Sequence, residues 1–203
     1  MSSLKVRTAI VSVLLVLTAG CSIPHHVAAD YPQYLANNVG ASHLPQVKAG
    51  DQYYLPPETQ NHSYEYRSAL AGYANVWIFE FGKVLDATMQ STDVVEAFGS
   101  ITKANDRTHA GGNTIVFELQ RYDFEEHGAH VGLVISVVGA DGEIFKKSYH
   151  ADGESQGGKM FWAGAFGMKN AMQQSTKLAL DSILNEFIGD FKASEAARAA
   201  AGR

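Results

Sequence analysis

Cysteine is almost absent: Cys21 is the only one in 203 residues. An intrachain disulfide is therefore excluded, even in an oxidising compartment. Proline stops early, because all five (Pro24, Pro32, Pro45, Pro56 and Pro57) lie in the first third of the chain. Irregular, extended backbone is expected there and long regular elements after it. Positive charge is scarce and unclustered. Lys and Arg number 16 against 21 Asp and Glu, giving a formal net charge of −5. Such a balance is a poor match for nucleic acid or anionic headgroups. No apolar run reaches the ~20 residues that a membrane-spanning helix needs.

The amino terminus does carry a pattern. Met1 to Arg7 has two basic residues and no acid, Ala9 to Leu17 is apolar except for Ser12, and small residues follow. A positive start, a short apolar run and a small-residue cut site read as a secretory signal. The run ends at Leu17-Thr18-Ala19-Gly20-Cys21. A thiolate is the side chain nucleophilic enough near neutral pH to be alkylated selectively, and small neighbours let a peptidase reach the backbone.

This stretch resembles the lipobox of bacterial lipoproteins, with Thr18 standing where that family usually has leucine. The resemblance implies that residues 1–20 are removed, that Cys21 receives a diacylglycerol and that its new amine is acylated. Several acyl chains give a stable anchor, whereas one gives only a marginal one. Ser22, in place of aspartate, implies sorting to the periplasm-facing side of the outer membrane rather than retention at the inner membrane.

Residues 21–62 lack sustained periodicity and hold every proline, so they are expected to form a lipidated, irregular tether, with a short ordered piece at Tyr53-Tyr54-Leu55, either disordered elsewhere or docked in part on the domain through Tyr31, Tyr34, Tyr53 and Tyr54. A folded domain is expected over 63–192. Tyr64 to Leu70 and Asn75 to Phe81 read as strands, being rich in aromatic and β-branched residues. Gly82 to Gly99 reads as one helix through Val84, Thr88, Ser91, Val95 and Phe98. Thr114 to Tyr122, Ala129 to Val138 and Glu143 to Ala151 alternate as three strands. Asp141-Gly142 is a hairpin signal between the last two. A long helix then runs to Phe191, with Met168, Met172, Ala179, Leu180, Ile183, Phe187 and Phe191 on one side. Asn170, Gln174, Lys177, Asp181 and Asn185 form its polar side. Gly164 and Gly167 weaken its first turns. The alanine-rich tail, 193–203, is expected to fray.

These elements predict an α+β fold: an antiparallel sheet of about four to five strands with two helices packed on one face. Lipobox, tether and this element order together resemble small envelope lipoproteins. The curli-secretion lipoprotein and the amino-terminal domain of TolB have cores of this general kind. That resemblance implies an accessory in envelope assembly, export or trafficking that works by contact.

Reactive constellations are weak. Gly153-Glu154-Ser155-Gln156-Gly157 matches a nucleophile elbow, but that arrangement needs a later histidine and none follows His150. Ser100-Ile101-Thr102-Lys103 matches a Ser-x-x-Lys motif without its companions. Asp123, Glu125, Glu126, His127 and His130 gather possible metal ligands. They join two strands, where positions 127 and 130 point to opposite faces, so a polar hairpin tip is the simpler reading. No cofactor, metal or catalytic residue is expected.

Trp77, Phe79 and Phe81 form one aromatic cluster and Phe161, Trp162 and Phe166 another. Core packing explains such clusters most simply. The glycines flanking Phe161, Trp162 and Phe166 make that stretch the candidate partner-binding patch. The sequence thus points to a lipid-anchored, periplasm-facing, non-enzymatic adaptor that binds an envelope protein or itself. The alternatives are a small-ligand or glycan-binding module, or a metal-dependent enzyme using Asp123, Glu126 and His130.

Overall fold

The computed structural model describes residues 22–107, 112–155 and 160–201, without the side chains of Leu70 and of 160–163. The leader, Cys21 and the Gln156-Gly157 half of the elbow motif lie outside the described residues. The elements are β1 (Ile23–His26), α1 (Tyr31–Ala36), β2 (Gln52–Tyr54), α2 (Pro57–Gln60), β3 (Ser63–Tyr66) and a 3₁₀ turn (Ala69–Ala71). Then come β4 (Asn75–Glu80), α3 (Phe81–Met89), α4 (Thr92–Phe98), β5 (Thr102–Lys103), β6 (Thr114–Glu125), β7 (Gly128–Gly139), β8 (Gly142–Glu154) and α5 (Met160–Ala201). The chain is α+β.

The carboxyl-terminal half follows the periodicity. β6, β7 and β8 form an antiparallel meander joined by two-residue turns. One turn is Ala140–Asp141, after which Gly142 takes φ 118°. The other is Glu126–His127, where neither residue is glycine yet φ is 48° and 71°. Positive φ at both central residues matches the twist of the flanking strands. Ile115, Phe117, Val131, Leu133, Ile135 and Val137 point inward and are buried. The predicted apolar stripe of α5, Met168 to Phe191, is buried too and packs on β7 and β8. Gly164 breaks this helix near its start, with φ 56° and ψ −135°.

The rest of the architecture corrects the single antiparallel sheet. Two sheets form, with orders β1-β4-β3 and β5-β2-β6-β7-β8. β1 pairs parallel with β4, and β2 pairs parallel with both β5 and β6. The expected single helix over 82–99 is two, α3 and α4, divided at Gln90–Ser91. Among the described residues there are five α-helices rather than two. The alanine-rich tail is helical to Ala201, because alanine carries the strongest helix preference and simply continues α5.

The tether expectation also gives way. Val27, Tyr31, Leu35, Val47, Ala49, Tyr53 and Leu55 are buried in the same core as α5 and the meander. The physical reason is a missing cover. α5 buries its apolar stripe on the sheet, and residues 27–42 satisfy its polar side. Gln173 Nε2 donates to the Val27 carbonyl (3.0 Å) and to Asp30 (2.7 Å). Lys169 Nζ donates to Asp30 (2.5 Å), and Ser42 Oγ donates to Asp181 (2.8 Å).

The small sheet packs its aromatic face on β6. Phe79 stacks on Tyr122 at 4.0 Å between ring centroids, and Tyr66 meets Phe124 edge-on at 5.2 Å. Trp77, Phe79 and Phe81 are fully buried, as core packing predicts. At the opposite end, Phe98 of α4 lies parallel to Phe187 of α5. On the other face of the meander Lys146, Ser148, His150 and Asp152 of β8 are exposed, whereas Thr114 and Val116 of β6 and Val134 and Ser136 of β7 are buried.

Candidate functional site

Two places stand out. The first is a groove of about 460 Å³ between α1, α3 and the start of α4. Leu35 and Ala36 give it an apolar wall, Asp86 and Gln90 a polar one, and Asp93 and Lys177 lie at its base. Proline at the second position of α1 fits its first turn, where the N–H is unpaired anyway. Tyr53 OH donates to Asp86 (2.6 Å), and Lys103 Nζ sits 3.0 Å from the same carboxylate. Burial, helped by the Asp86 bond, pushes the Tyr53 phenol well above its ordinary range, so it remains a donor.

The base of the groove is a buried ion network. Lys177 is 6% exposed and Asp93 9%. Lys177 Nζ lies 2.6 Å from Asp181 and 4.0 Å from Asp93, and also donates to Ser42 Oγ. The backbone N–H groups of Gly40 (2.7 Å) and Ser42 (3.1 Å) donate to the two oxygens of Asp93. Burial alone would raise the Asp93 carboxyl. The Gly40 and Ser42 N–H bonds and the Lys177 charge outweigh it and hold the group below the usual carboxylate range. Asp30 behaves alike: desolvation raises it, and bonds from Lys169 and Gln173 more than reverse that.

An acid dependence follows. Both carboxyls bind protons less readily folded than unfolded. Their contribution is complete above the unfolded value of ~3.9 and is withdrawn as pH falls through the lower folded values. Thermal unfolding followed below pH ~4 should show a flatter loss of stability in Asp30→Asn/Asp93→Asn than in the parent chain.

The second place is the amino end of β1. Ile23 is 52% exposed and its N–H donates to the Ala74 carbonyl at 2.8 Å. Tyr73, beside Ala74, is 71% exposed, and Phe166 is 76% exposed. Phe166 follows Ala165, whose carbonyl accepts a hydrogen bond from Trp77 Nε1 at 3.1 Å. Trp77 in turn stacks with His25 of β1. Arg67 reaches the Tyr73 carbonyl (3.0 Å). Of the sequence-predicted patch, Phe166 is therefore on the surface, and the side chains of Phe161 and Trp162 lie outside the described residues. Ser22 is exposed and directly precedes β1.

The remaining motifs are structural parts. Ser155 Oγ donates to the His127 carbonyl (2.6 Å), tying the end of β8 to the β6–β7 turn. Gly153 is dictated by packing, since a Cβ there would stand 1.8 Å from the Ser175 carbonyl oxygen of α5. Ile101 is buried, and Thr102 and Lys103 form β5, so the Ser-x-x-Lys residues do not share a helical face. Asp123 faces His130 across the β6–β7 register. His130 Nδ1 lies 2.6 Å from Asp152, and Arg121 Nε lies 2.5 Å from Asp123. This is a polar ladder across β6, β7 and β8. Among the described residues no three His, Cys, Asp or Glu side chains are grouped to hold a metal ion. Among them, too, no helix is long and apolar enough to cross a membrane.

Sequence reasoning missed Asp93, Lys177, Ile23 and Tyr73. Lys177 sits on the polar side of an amphipathic helix, and its partners come from 84 or more residues away in the case of Asp93 and Ser42. Tyr73, an isolated aromatic beside Gly72, was the one available signal.

No protein-family model matches the chain, and no curated protein matches it. Among solved structures the chain is similar to the crystal structure of protein XCC0632 from Xanthomonas campestris, of the family DUF330. The identity is 8%, the likeness covers 78% of this chain and 92% of that one, and the TM-score is 0.47.

Proposed function

We propose that this chain is a lipid-anchored, periplasm-facing lipoprotein of the outer membrane, acting as a non-enzymatic adaptor in envelope assembly, export or transport. The observation that supports this best is the solitary Cys21 behind a basic and apolar leader and two small residues. The first strand among the described residues begins at Ile23, two positions after Cys21 in the sequence, so no long tether separates an acylated residue from the domain. The groove between α1 and α3 supports contact with a partner. It has an apolar wall, a polar rim and a rigid charged base, which together suit a protein segment better than a reaction.

Cys21→Ser is expected to abolish acylation and leader removal, and so to keep the protein out of the outer-membrane fraction. Fractionation and mass spectrometry of the product read both effects. Cys21→Ser in the outer-membrane fraction, or an unacylated position 21 in the parent protein, overturns the anchor. A photo-crosslinker at Val39, exposed at the groove, is expected to capture one discrete envelope protein, or a second copy, in intact membranes. Capture of none overturns the adaptor reading.

A second reading has one observation in its favour. A groove of about 460 Å³ falls in the size range of small-molecule sites, and Asp86 and Gln90 offer hydrogen-bonding groups of the kind a glycan uses. Saturable binding of an envelope oligosaccharide, lost in Asp86→Ala/Gln90→Ala, would favour it.

A further inference from the structure

The six exposed large apolar side chains among the described residues are Ile23, Val39, Tyr73, Val95, Phe166 and Leu178. Three of them, Ile23, Tyr73 and Phe166, collect at one end of the small sheet. Ile23 and Tyr73 flank the bond from the Ile23 N–H to the Ala74 carbonyl. Phe166 is brought there by the bond from Trp77 to Ala165, with Trp77 paired in register to His25 of β1. This is also the end from which the chain runs back to Cys21. Two residues, fully extended, reach at most about 7 Å. An acylated Cys21 therefore cannot hold this end clear of the headgroups.

We infer that Ile23, Tyr73 and Phe166 form a bilayer-contacting foot that seats the domain in one fixed orientation on the lipid surface. The inference rests on the lipid-anchor reading above. The chemistry of the patch suits an interface. Tyrosine places an apolar ring and a polar hydroxyl at the headgroup level. Arg67, hydrogen-bonded beside it, extends an apolar stem and a charge that stays in water or on phosphate. Apolar burial supplies the contact, consistent with a chain too acidic to bind anionic lipid by charge. Phe187, against which α4 packs, lies about 30 Å along the helix from Phe166 at ~1.5 Å per residue.

The test uses the full, acylated protein in vesicles of phosphatidylethanolamine and phosphatidylglycerol. Acylation consumes Cys21, so Tyr73→Cys, Phe166→Cys and Val95→Cys each give one thiol for a nitroxide label. Val95, on α4, is the distal control. Labels at 73 and 166 are expected about 5–10 Å below the headgroup boundary, screened from aqueous relaxant and open to oxygen, with the label at 95 in water. If vesicles float with the protein but labels 73 and 166 are as water-accessible as 95, the foot does not exist. A protein that neither carries acyl mass on residue 21 nor floats removes the anchor itself, and this inference with it, by a different signature.

Discussion

Gly153→Ala is expected to destabilise the domain by about 3 kcal/mol or more, at the upper end for adding one methyl to a packed site. The new Cβ would lie 1.8 Å from the Ser175 oxygen and 2.9 Å from the Ala179 nitrogen. Both are backbone atoms of α5, so no side chain can rotate aside. The helix or β8 must move, and each is fastened elsewhere. Thr176 Oγ1 of α5 is hydrogen-bonded to Tyr122 OH of β6 at 3.1 Å, and Gly153 is in register with Ala129 of β7. Any shift of α5 also disturbs Leu180, Ile183 and Phe187, all buried. Chemical denaturation should show a large fall in midpoint. Gly189→Ala is the matched control, since a Cβ there meets nothing within 4 Å. It is expected to stabilise the helix by roughly 0.5–1 kcal/mol. Equal effects at the two glycines would show that the β8–α5 approach is looser than described.

Lys177→Ala is expected to cost about 3–5 kcal/mol, the range for removing one member of a buried ion pair. Truncation leaves Asp93 and Asp181 facing each other without their cation. It also removes the bond that holds Ser42. For a domain of this size the loss corresponds to a fall of very roughly 10 °C in Tm. Replacing the whole network by Lys177→Met with Asp93→Asn and Asp181→Asn removes the uncompensated charge. That triple variant should recover much of the loss, because neutral groups of similar volume carry a smaller desolvation cost. If the triple variant is as unstable as Lys177→Ala, hydrogen bonds to the loop at 40–42, and not charge, dominate the site. The thermal midpoints of the two variants decide between these accounts.

What could be read from the sequence followed the range of the interactions. The β6–β7–β8 meander was legible because each strand is long enough for period-2 alternation to repeat and is joined to the next by two residues. The apolar stripe of α5 was legible for the same reason at period 3.6. By contrast, β1 and β2 have four and three residues, too few to show any period. Their parallel partners are remote in the chain. His25 pairs with Trp77, and Tyr53 with Lys103 and Ile115. No local pattern encodes such pairings, and prolines around them pointed to irregular backbone. α3 and α4 were read as one helix because Val84, Thr88, Ser91, Val95 and Phe98 keep helical spacing across Gln90–Ser91, whereas in the fold α4 buries Val94, Ala97 and Phe98 and exposes Val95. The polar side of α5 was legible as polar, but not its partners. In the fold, Gln173 and Lys177 are buried because the amino-terminal segment supplies their partners. Of the surface features, Phe166 was singled out by its flanking glycines and is exposed. Ile23 and Tyr73 gained meaning only when the fold set them beside each other.

β2 has a kinetic consequence out of proportion to its length. Its three residues separate β5 from β6 and bond to both, so the larger sheet has five strands only with β2 in place. The ribosome delivers β2 long before either neighbour. Tyr54 waits for Val116 before its pairing is complete, and contacts so remote in the chain slow the search for the native state. Until then the aromatic residues of the first sixty positions stay uncovered, which makes the half-made polypeptide a natural client for a holding chaperone.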